Sequence, residues 1–229
     1  MGITGLFVLQ DASITATSIS TLHDKVLKNY GKVLGRWSVD YKLFRESAAP
    51  AGGRGDGKPA PAFFSQIFIS SFPDDVFCLV DEAPGAGAGP LPVEAGQPGR
   101  KVLAVFDRGI DSIVSLKLQN MWVLRQSMRA DGTSYQCGAD YKVCLANVTQ
   151  TGLFKFVVAE VECVNETDMD SARERIRAFL FDTLAFPTEG RFFWGDTLNV
   201  YHGTDEREGF TKADTAVQYL EVFRARPGA

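Results

Sequence analysis

Short apolar runs recur along most of the chain, and residues that favour turns separate them. Runs of about four to eight residues between Gly, Pro, Asn, Asp or Ser are typical of β-strands. They predict eight or nine strands, with candidates at residues 3–9, 37–44, 63–70, 76–81, 102–106, 121–128, 134–137, 141–148 and 153–164. The Asp131-Gly132 and Thr151-Gly152 steps fall between successive runs and predict hairpin turns.

Four other segments place apolar residues at helical spacing. They predict helices at residues 18–30, 110–118 and 167–185, and a last helix that opens at Thr211. Thr211 and Asp214 stand three residues apart, which is the spacing of a capping box. The apolar residues of the last helix fall on one side. They are Ala213, Ala216, Val217, Leu220 and Phe223.

The order of these elements predicts the fold class. The strands follow one another like a meander and do not alternate with helices, so a doubly wound parallel sheet is not expected. We predict an α+β fold, built as a single antiparallel β-barrel or strongly curled sheet flanked by a few helices. Two stretches at about residues 48–62 and 83–100 are rich in Gly and Pro and are interpreted as flexible insertions in one domain that spans residues 1–229.

Composition and charge exclude several classes of partner and cofactor. The chain has 24 basic and 28 acidic residues and a formal charge of −4, which disfavours direct nucleic-acid binding through phosphates. Its longest uncharged stretch is shorter than the ~20 residues of a membrane-spanning helix, so no membrane partner is expected. The four cysteines lack the two-residue spacing of zinc sites, so no metal or other cofactor is predicted.

Glu160 and Glu162 are the main candidates for chemistry. Two residues apart on a strand, they point to the same face, as do paired carboxylates that hold a divalent cation inside a β-barrel tunnel. Val164, the next residue on that face, supplies no basic group for a triphosphate. Strand alternation assigns the opposite, apolar face to the core and sends both glutamates to solvent. If the two glutamates instead face a tunnel and hold a metal ion, the alternative function is a tunnel-type metal-dependent phosphohydrolase.

Two groups are candidates for partner binding. Phe192, Phe193 and Trp194 form an aromatic run in a Gly-bounded stretch without a strong period, and catalytic motifs are missing elsewhere in the sequence. Such a run predicts a partner surface, and packing against the end of the barrel is the other interpretation. Gln218 and Tyr219, at the polar end of the last helix, contribute to the partner surface or fix the helix to its own barrel.

Three features of the chain resemble the family of Mediator complex subunit 20, part of the Mediator head module. One is the MGIT start at residues 1–4. Another is GTSYQC at residues 132–137 with YKV at 141–143 and VAEVEC at 158–163. The third, and most specific, is ADTAVQYLEVF at residues 213–223 in the closing helix. The likeness covers most of the chain but not the two Gly/Pro-rich stretches.

The resemblance implies a β-barrel flanked by helices and devoid of catalysis. It implies a coactivator that supports regulation of RNA polymerase II transcription in the nucleus. The expected partners are the similarly folded Mediator subunit 18, as a heterodimer, the C-terminal helix of Mediator subunit 8, and the rest of the Mediator head. The family's barrel also resembles metal-dependent RNA triphosphatases, which is a second reason to locate Glu160 and Glu162 in the structure.

Overall fold

The computed structural model describes residues 1–10, 14–29, 31–47, 62–81, 101–196, 198, 200–201 and 209–225. The two predicted insertions lie outside the described residues, apart from Ala62. The strands are β1 (Ile3–Leu9), β2 (Gly31–Glu46), β3 (Phe63–Ile69), β4 (Val76–Asp81), β5 (Lys101–Phe106), β6 (Trp122–Cys137), β7 (Tyr141–Gln150), β8 (Leu153–Cys163), β9 (Arg191–Phe193) and β10 (Val200–Tyr201). The helices are α1 (Ser18–Lys28), α2 (Gly109–Ser112), α3 (Met169–Ala178) and α4 (Lys212–Arg224).

The strands of the described part form one sheet in the order β10-β5-β4-β3-β2-β6-β7-β8-β1-β9. Neighbours are antiparallel, except that β5 and β10 are parallel. The outermost strands, β9 and β10, pair only with β1 and β5 within the described residues, so the sheet is not closed. The predicted antiparallel sheet with a few helices is confirmed. Of the two forms predicted for that sheet, the closed barrel is not supported by the strand order of the described residues.

One predicted hairpin turn is confirmed and the other is wrong. Thr151 and Gly152 join β7 to β8 with positive φ angles of 49° and 81°, as a two-residue hairpin requires. Asp131 and Gly132 instead lie inside the long strand β6. Gly132 is needed there because a Cβ would lie 1.8 Å from the Leu145 carbonyl oxygen of the neighbouring strand. The glycine that suggests a turn therefore permits close strand contact.

The helices agree with the predicted positions but differ at their ends. Helices α2 and α3 each continue into a π-helical turn, at Ile113–Lys117 and Phe179–Thr183. Helix α4 begins with the predicted capping box, in which the Asp214 carboxylate accepts a hydrogen bond from the Thr211 backbone N–H at 2.8 Å. None of the helices in the described ranges has the length and apolar character needed to cross a bilayer.

The sheet is covered on both faces. On its concave face, buried apolar residues from β1 to β8 form one cluster with α4. On its convex face, α1 and α3 cover a second cluster, and α2 with its π-turn covers a third. Every residue of α4 from Thr215 to Phe223 is buried. The sheet curls around this helix, so the polar side chains opposite its apolar stripe are buried as well.

Candidate functional site

Glu160 lies on the concave face of β8 and is only 3% exposed. The Tyr219 hydroxyl, on α4, donates a hydrogen bond to Glu160 Oε2 at 2.6 Å. Cys144 occupies the paired position on β7. Burial raises the pKa of Glu160, and the Tyr219 hydrogen bond and the positive charge of Lys142 offset part of that rise. The predicted exposure of Glu160 is wrong because α4 covers the face that alternation assigns to solvent.

Glu162 points to the same face but lies nearer the rim and is half-buried. Its Oε1 accepts a hydrogen bond from the Gly2 backbone N–H at 3.0 Å. Within the described ranges, no group of three or more His, Cys, Asp or Glu side chains is placed to hold a metal ion. Each of the two candidate carboxylates thus binds a donor from its own chain, one on α4 and the other at the start of β1.

Gln218 joins α4 to β1. Its Oε1 accepts a hydrogen bond from the Thr4 hydroxyl at 2.8 Å, and its Nε2 donates to the Thr4 backbone carbonyl at 2.7 Å. The Thr215 hydroxyl, one turn earlier, lies 3.0 Å from the Thr4 hydroxyl. All three side chains are buried. The amide, the two hydroxyls and the carbonyl form a closed polar cluster that fixes the position of α4 along β1.

Other polar residues of α4 bind a strand and a loop in the two halves of the sheet. The Glu221 carboxylate accepts hydrogen bonds from the backbone N–H groups of Gly195 at 2.8 Å and Leu198 at 3.2 Å, which fixes the chain after β9. Arg224 forms an ion pair with Asp81 of β4. Helix α4 is therefore held by polar contacts to strands that lie far apart in the sheet.

Phe192 and Phe193 of the edge strand β9 and Trp194 directly after it are all half-buried. Phe193 packs against the concave cluster around α4, whereas Phe192 and Trp194 pack against the convex cluster. The Phe192 ring lies 4.8 Å from that of Phe7 and stacks on Trp194 at 5.2 Å. Trp194 lies over Gly5, where a Cβ would come within 2.3 Å of the indole. Gln218 Nε2 also donates to the Trp194 carbonyl at 3.5 Å.

The partner-binding candidates thus meet in one part of the molecule. Gln218 and Tyr219 have no exposed surface and bind inside this chain, so a role in partner binding stays a prediction and would act through the position of α4. The aromatic run keeps part of its surface exposed. The outer edge of β9 pairs with no other strand among the described residues.

Comparison with known protein families shows which family this chain belongs to. The family described as "TATA-binding related factor (TRF) of subunit 20 of Mediator complex" matches residues 1–224. The chain belongs to the Mediator subunit 20 family. The match spans β1 at one end and α4 at the other, the two elements that Gln218 and Thr4 join in this family member.

Curated relatives carry the same family name. Mediator of RNA polymerase II transcription subunit 20 of Yarrowia lipolytica is 25% identical over 207 residues, which cover 81% of this chain and 88% of the relative. The Schizosaccharomyces pombe protein of that name is 29% identical over 165 residues, covering 72% of this chain and 68% of the relative.

Solved structures resemble this subunit 20 family member distantly. The PH1819 protein of Pyrococcus horikoshii OT3 is 13% identical, with a TM-score of 0.39 over 79% of this chain and 88% of its own. The putative adenylyl cyclase HpAC1 from Hippeastrum, described as having a dominant triphosphatase activity, is 13% identical, with a TM-score of 0.44 over 80% of this chain and 88% of its own. Values this low assign no activity to the chain.

Sequence reasoning missed several residues that build the interior of this subunit 20 family member. Thr4, Thr215 and Glu221 interrupt apolar segments, and each binds a group from a distant part of the chain. The sequence feature that could have identified them is a polar residue inside a segment that otherwise packs into the core. Periodicity assigns such residues to solvent, and only the covered second face of the sheet gives them buried partners.

Proposed function

We propose that this chain is a non-enzymatic structural subunit of the Mediator head module that supports regulation of RNA polymerase II transcription as a coactivator in the nucleus. The family match over residues 1–224 carries the proposal. The relatives from Yarrowia lipolytica and Schizosaccharomyces pombe are named as subunit 20 of the Mediator of RNA polymerase II transcription.

The filled interior supports a binding role over catalysis. A metal-dependent phosphohydrolase needs carboxylates that are free to coordinate a cation and a space for the phosphate groups. Here Glu160 accepts a hydrogen bond from the Tyr219 hydroxyl, and α4 fills the concave side of the sheet. Most side chains around Glu160 and Glu162 on the concave face of the sheet are apolar, which suits a core and not a triphosphate site.

A hydrolysis assay separates this role from the phosphohydrolase alternative. The purified chain is incubated with ATP or tripolyphosphate and Mg²⁺ or Mn²⁺, and released phosphate is compared with a Glu160→Ala, Glu162→Ala double variant. We expect no turnover above background for either protein. Turnover by the wild type that the double variant abolishes would establish the phosphohydrolase and contradict the proposal.

We further propose that the chain pairs with Mediator subunit 18, and through that heterodimer with the C-terminal helix of subunit 8 and the rest of the head. The proposed surface is the outer edge of β9 with Phe192, Phe193 and Trp194. A free strand edge offers backbone hydrogen bonds to a partner, and half-buried aromatic rings contribute apolar area. Gln218 and Tyr219 support this surface indirectly by holding α4 beneath it.

Binding to purified subunit 18 tests the proposed surface. A Phe193→Glu substitution places a charge on β9. Arg191→Glu reverses the charge of an exposed side chain on the same strand, whose guanidinium lies 5.0 Å from the centre of the Phe193 ring. Leu153→Glu is the matched control, because Leu153 is 65% exposed at the distant β7–β8 turn. We expect tight binding by the wild type and the control, and dissociation constants at least about tenfold higher for both β9 variants.

The outcomes separate the surface from the pairing. If both β9 variants bind subunit 18 as tightly as the wild type, the proposed surface is wrong while the pairing stands. If the folded wild-type chain does not bind subunit 18 at all, the pairing itself is wrong. Thermal unfolding of each isolated variant shows whether lost binding reflects a lost fold.

A further inference from the structure

Strand β6 extends beyond its neighbour β7. Residues 128–137 of β6 pair with β7, whereas residues 122–127, here called the β6 edge, pair only with β2 among the described residues. Its first N–H group, that of Trp122, donates to the Leu118 carbonyl at 3.0 Å. Beyond that residue, the side that faces away from β2 presents backbone donors and acceptors with no neighbouring strand in the described part of the chain. A row of this kind is complementary to the backbone of an extended polypeptide.

A β-bulge lies within the β6 edge. Leu124 pairs with Phe44 and Gln126 pairs with Leu43, so Arg125 is the extra residue. Phe44 belongs to a cluster on the convex face of the sheet, and Leu43 packs against the concave cluster. Leu124 therefore points to the convex face and Gln126 to the concave face. Bulges are frequent beside binding sites, where they redirect a side chain.

A cavity of about 300 Å³ lies on the concave side of the sheet, next to Gln126. Its wall is mostly apolar, and it also includes Arg224, whose charge is paired with Asp81. The apolar residues of the wall are Tyr41, Leu43, Phe63, Phe223 and Ala225. In a strand added beside β6, every second side chain would point to this concave face, so one of them can enter the cavity.

The surroundings of the β6 edge are basic. Residues 112–130 contain three basic residues and no Asp or Glu, in a chain whose formal charge is −4. Two of the three, Lys117 and Arg125, form no ion pair with any described residue. On the paired part of β2, Arg45 and Glu46 add one charge of each sign. Charge complementarity therefore favours an acidic ligand.

We infer that the β6 edge binds an extended, acidic segment of a polypeptide partner, which adds a strand to β6 and places one apolar side chain in the cavity. Backbone hydrogen bonds supply affinity, and the cavity selects the side chain. Val123 and Leu124, which are 45% and 50% exposed, add apolar contact area. Strands β7, β8 and β1 separate β6 from β9 in the sheet, so this surface is not the one proposed for subunit 18. The inference does not depend on the proposed Mediator role.

Fluorescence anisotropy tests the inference on the full chain. The probe is a fluorescein-labelled peptide amide of sequence EVELEVE, and KVKLKVK is the matched peptide of opposite charge. We expect saturable binding of EVELEVE and a dissociation constant at least about tenfold higher for KVKLKVK. Backbone N–H groups alternate between the two sides of a strand. N-methylation of one alternate set of amides in EVELEVE should therefore abolish binding, whereas methylation of the other set should leave it unchanged.

Three variants locate the site. Gln126→Trp fills the cavity and Arg125→Glu reverses the charge at the bulge, and each should raise the dissociation constant of EVELEVE at least about fivefold. Arg36→Glu is the matched control, because Arg36 lies at the opposite end of the β2–β6 pair, and it should bind as the wild type does. Thermal unfolding shows that each variant is folded, and Arg125→Glu keeps the test decisive if Gln126→Trp is not.

Four results would each overturn the inference. They are the lack of saturable binding of EVELEVE, equal binding of KVKLKVK, the same effect of both N-methylated sets, and unchanged binding by a folded Arg125→Glu or Gln126→Trp variant.

Discussion

The Tyr219 hydroxyl donates to the Glu160 carboxylate across 2.6 Å and so joins the last helix of the chain to β8 inside the curled sheet. Both side chains are almost fully buried. This hydrogen bond engages the carboxylate that a tunnel enzyme would need to coordinate a metal ion. A residue that suggests catalysis in the sequence therefore serves to hold the internal helix.

Removal of the Tyr219 hydroxyl should destabilise the fold. In Tyr219→Phe the Glu160 carboxyl loses its donor while the ring stays, and a hydrogen bond to such a group contributes about 2 kcal/mol. Urea unfolding measures the loss. Tyr141→Phe is the control: its ring lies outside the α4 cluster, and its hydroxyl faces the Arg175 side chain, which is 39% exposed, so its removal should cost much less. A Tyr219→Phe variant as stable as the wild type would contradict a structural role for this bond.

The pKa of Glu160 predicts how stability changes with pH. Burial raises this pKa in the folded state above its ordinary value of 4.5, so folding favours the protonated form. The wild type should therefore lose stability relative to Glu160→Gln as the pH rises above 4.5 and through the folded-state pKa. Below pH 4.5 the difference in unfolding free energy between the wild type and Glu160→Gln should be constant. The groups that face Glu160 are Tyr219, Cys144, Lys142 and Glu162.

Unfolding free energies of the two proteins across this range give the measurement. Glu162→Gln is the matched control, because this half-buried carboxylate lies nearer the rim. A difference between wild type and Glu160→Gln that stays flat with pH, or that reverses in sign, would show that Glu160 titrates normally in the folded chain.

Thr4 and Gln218 should be energetically coupled. Two hydrogen bonds join them in the buried interior, so Thr4→Val and Gln218→Met should each cost about 1–2 kcal/mol of unfolding free energy. The double variant should cost less than the sum by roughly 1 kcal/mol, because either change removes the shared bond. Additive costs in this double-mutant cycle would mean that the two side chains act independently.

The sequence predicts the elements better than it predicts what covers them. The strand and helix positions follow from periodicity, and Thr151-Gly152 forms the expected turn. The failures at Glu160 and Gly132 share a cause, which is that each residue meets a part of the chain distant in sequence. Alternation assumes that one face of a strand is solvated, and α4 removes that condition for Glu160. Gly132 is read as a turn because the close approach of β7 is not visible in its own segment.

Strands β9 and β10 could not be predicted for the same reason. They are two or three residues long, and each exists through its pairing with a distant strand. The sequence leaves the position of the aromatic run open because Phe193 packs on the concave face of the sheet, whereas Phe192 and Trp194 pack on the convex face. Periodicity within so short a segment cannot separate core packing from a partner surface.

Gly5 should be required for the position of Trp194. An alanine Cβ would lie 2.3 Å from the indole, so Gly5→Ala should displace the ring and destabilise the fold by about 1–3 kcal/mol. Tryptophan fluorescence, with the chain's other two tryptophans replaced by Phe, should shift to the red. Adding Trp194→Leu should remove much of the extra cost, and full additivity of the two changes would contradict the contact.

Gln66→Met should stabilise the isolated chain. The substitution replaces an amide that has no hydrogen-bond partner among the described residues by an apolar side chain of similar length, which should raise the free energy of unfolding by about 1 kcal/mol. Gln126→Met is the control, because its amide donates to Met128 Sδ at 2.9 Å and no gain is expected. Loss of stability in Gln66→Met would show that the amide is satisfied within the fold.

Purification of the tagged chain from the nuclei of its own cells, with quantitative mass spectrometry of the proteins that accompany it, tests directly whether the chain is part of the Mediator head. We expect recovery of subunit 18 in near-equal amount with the other head subunits, and less subunit 18 with the Arg191→Glu variant. A folded, nuclear chain that brings down no Mediator subunits would contradict its proposed role in the Mediator head.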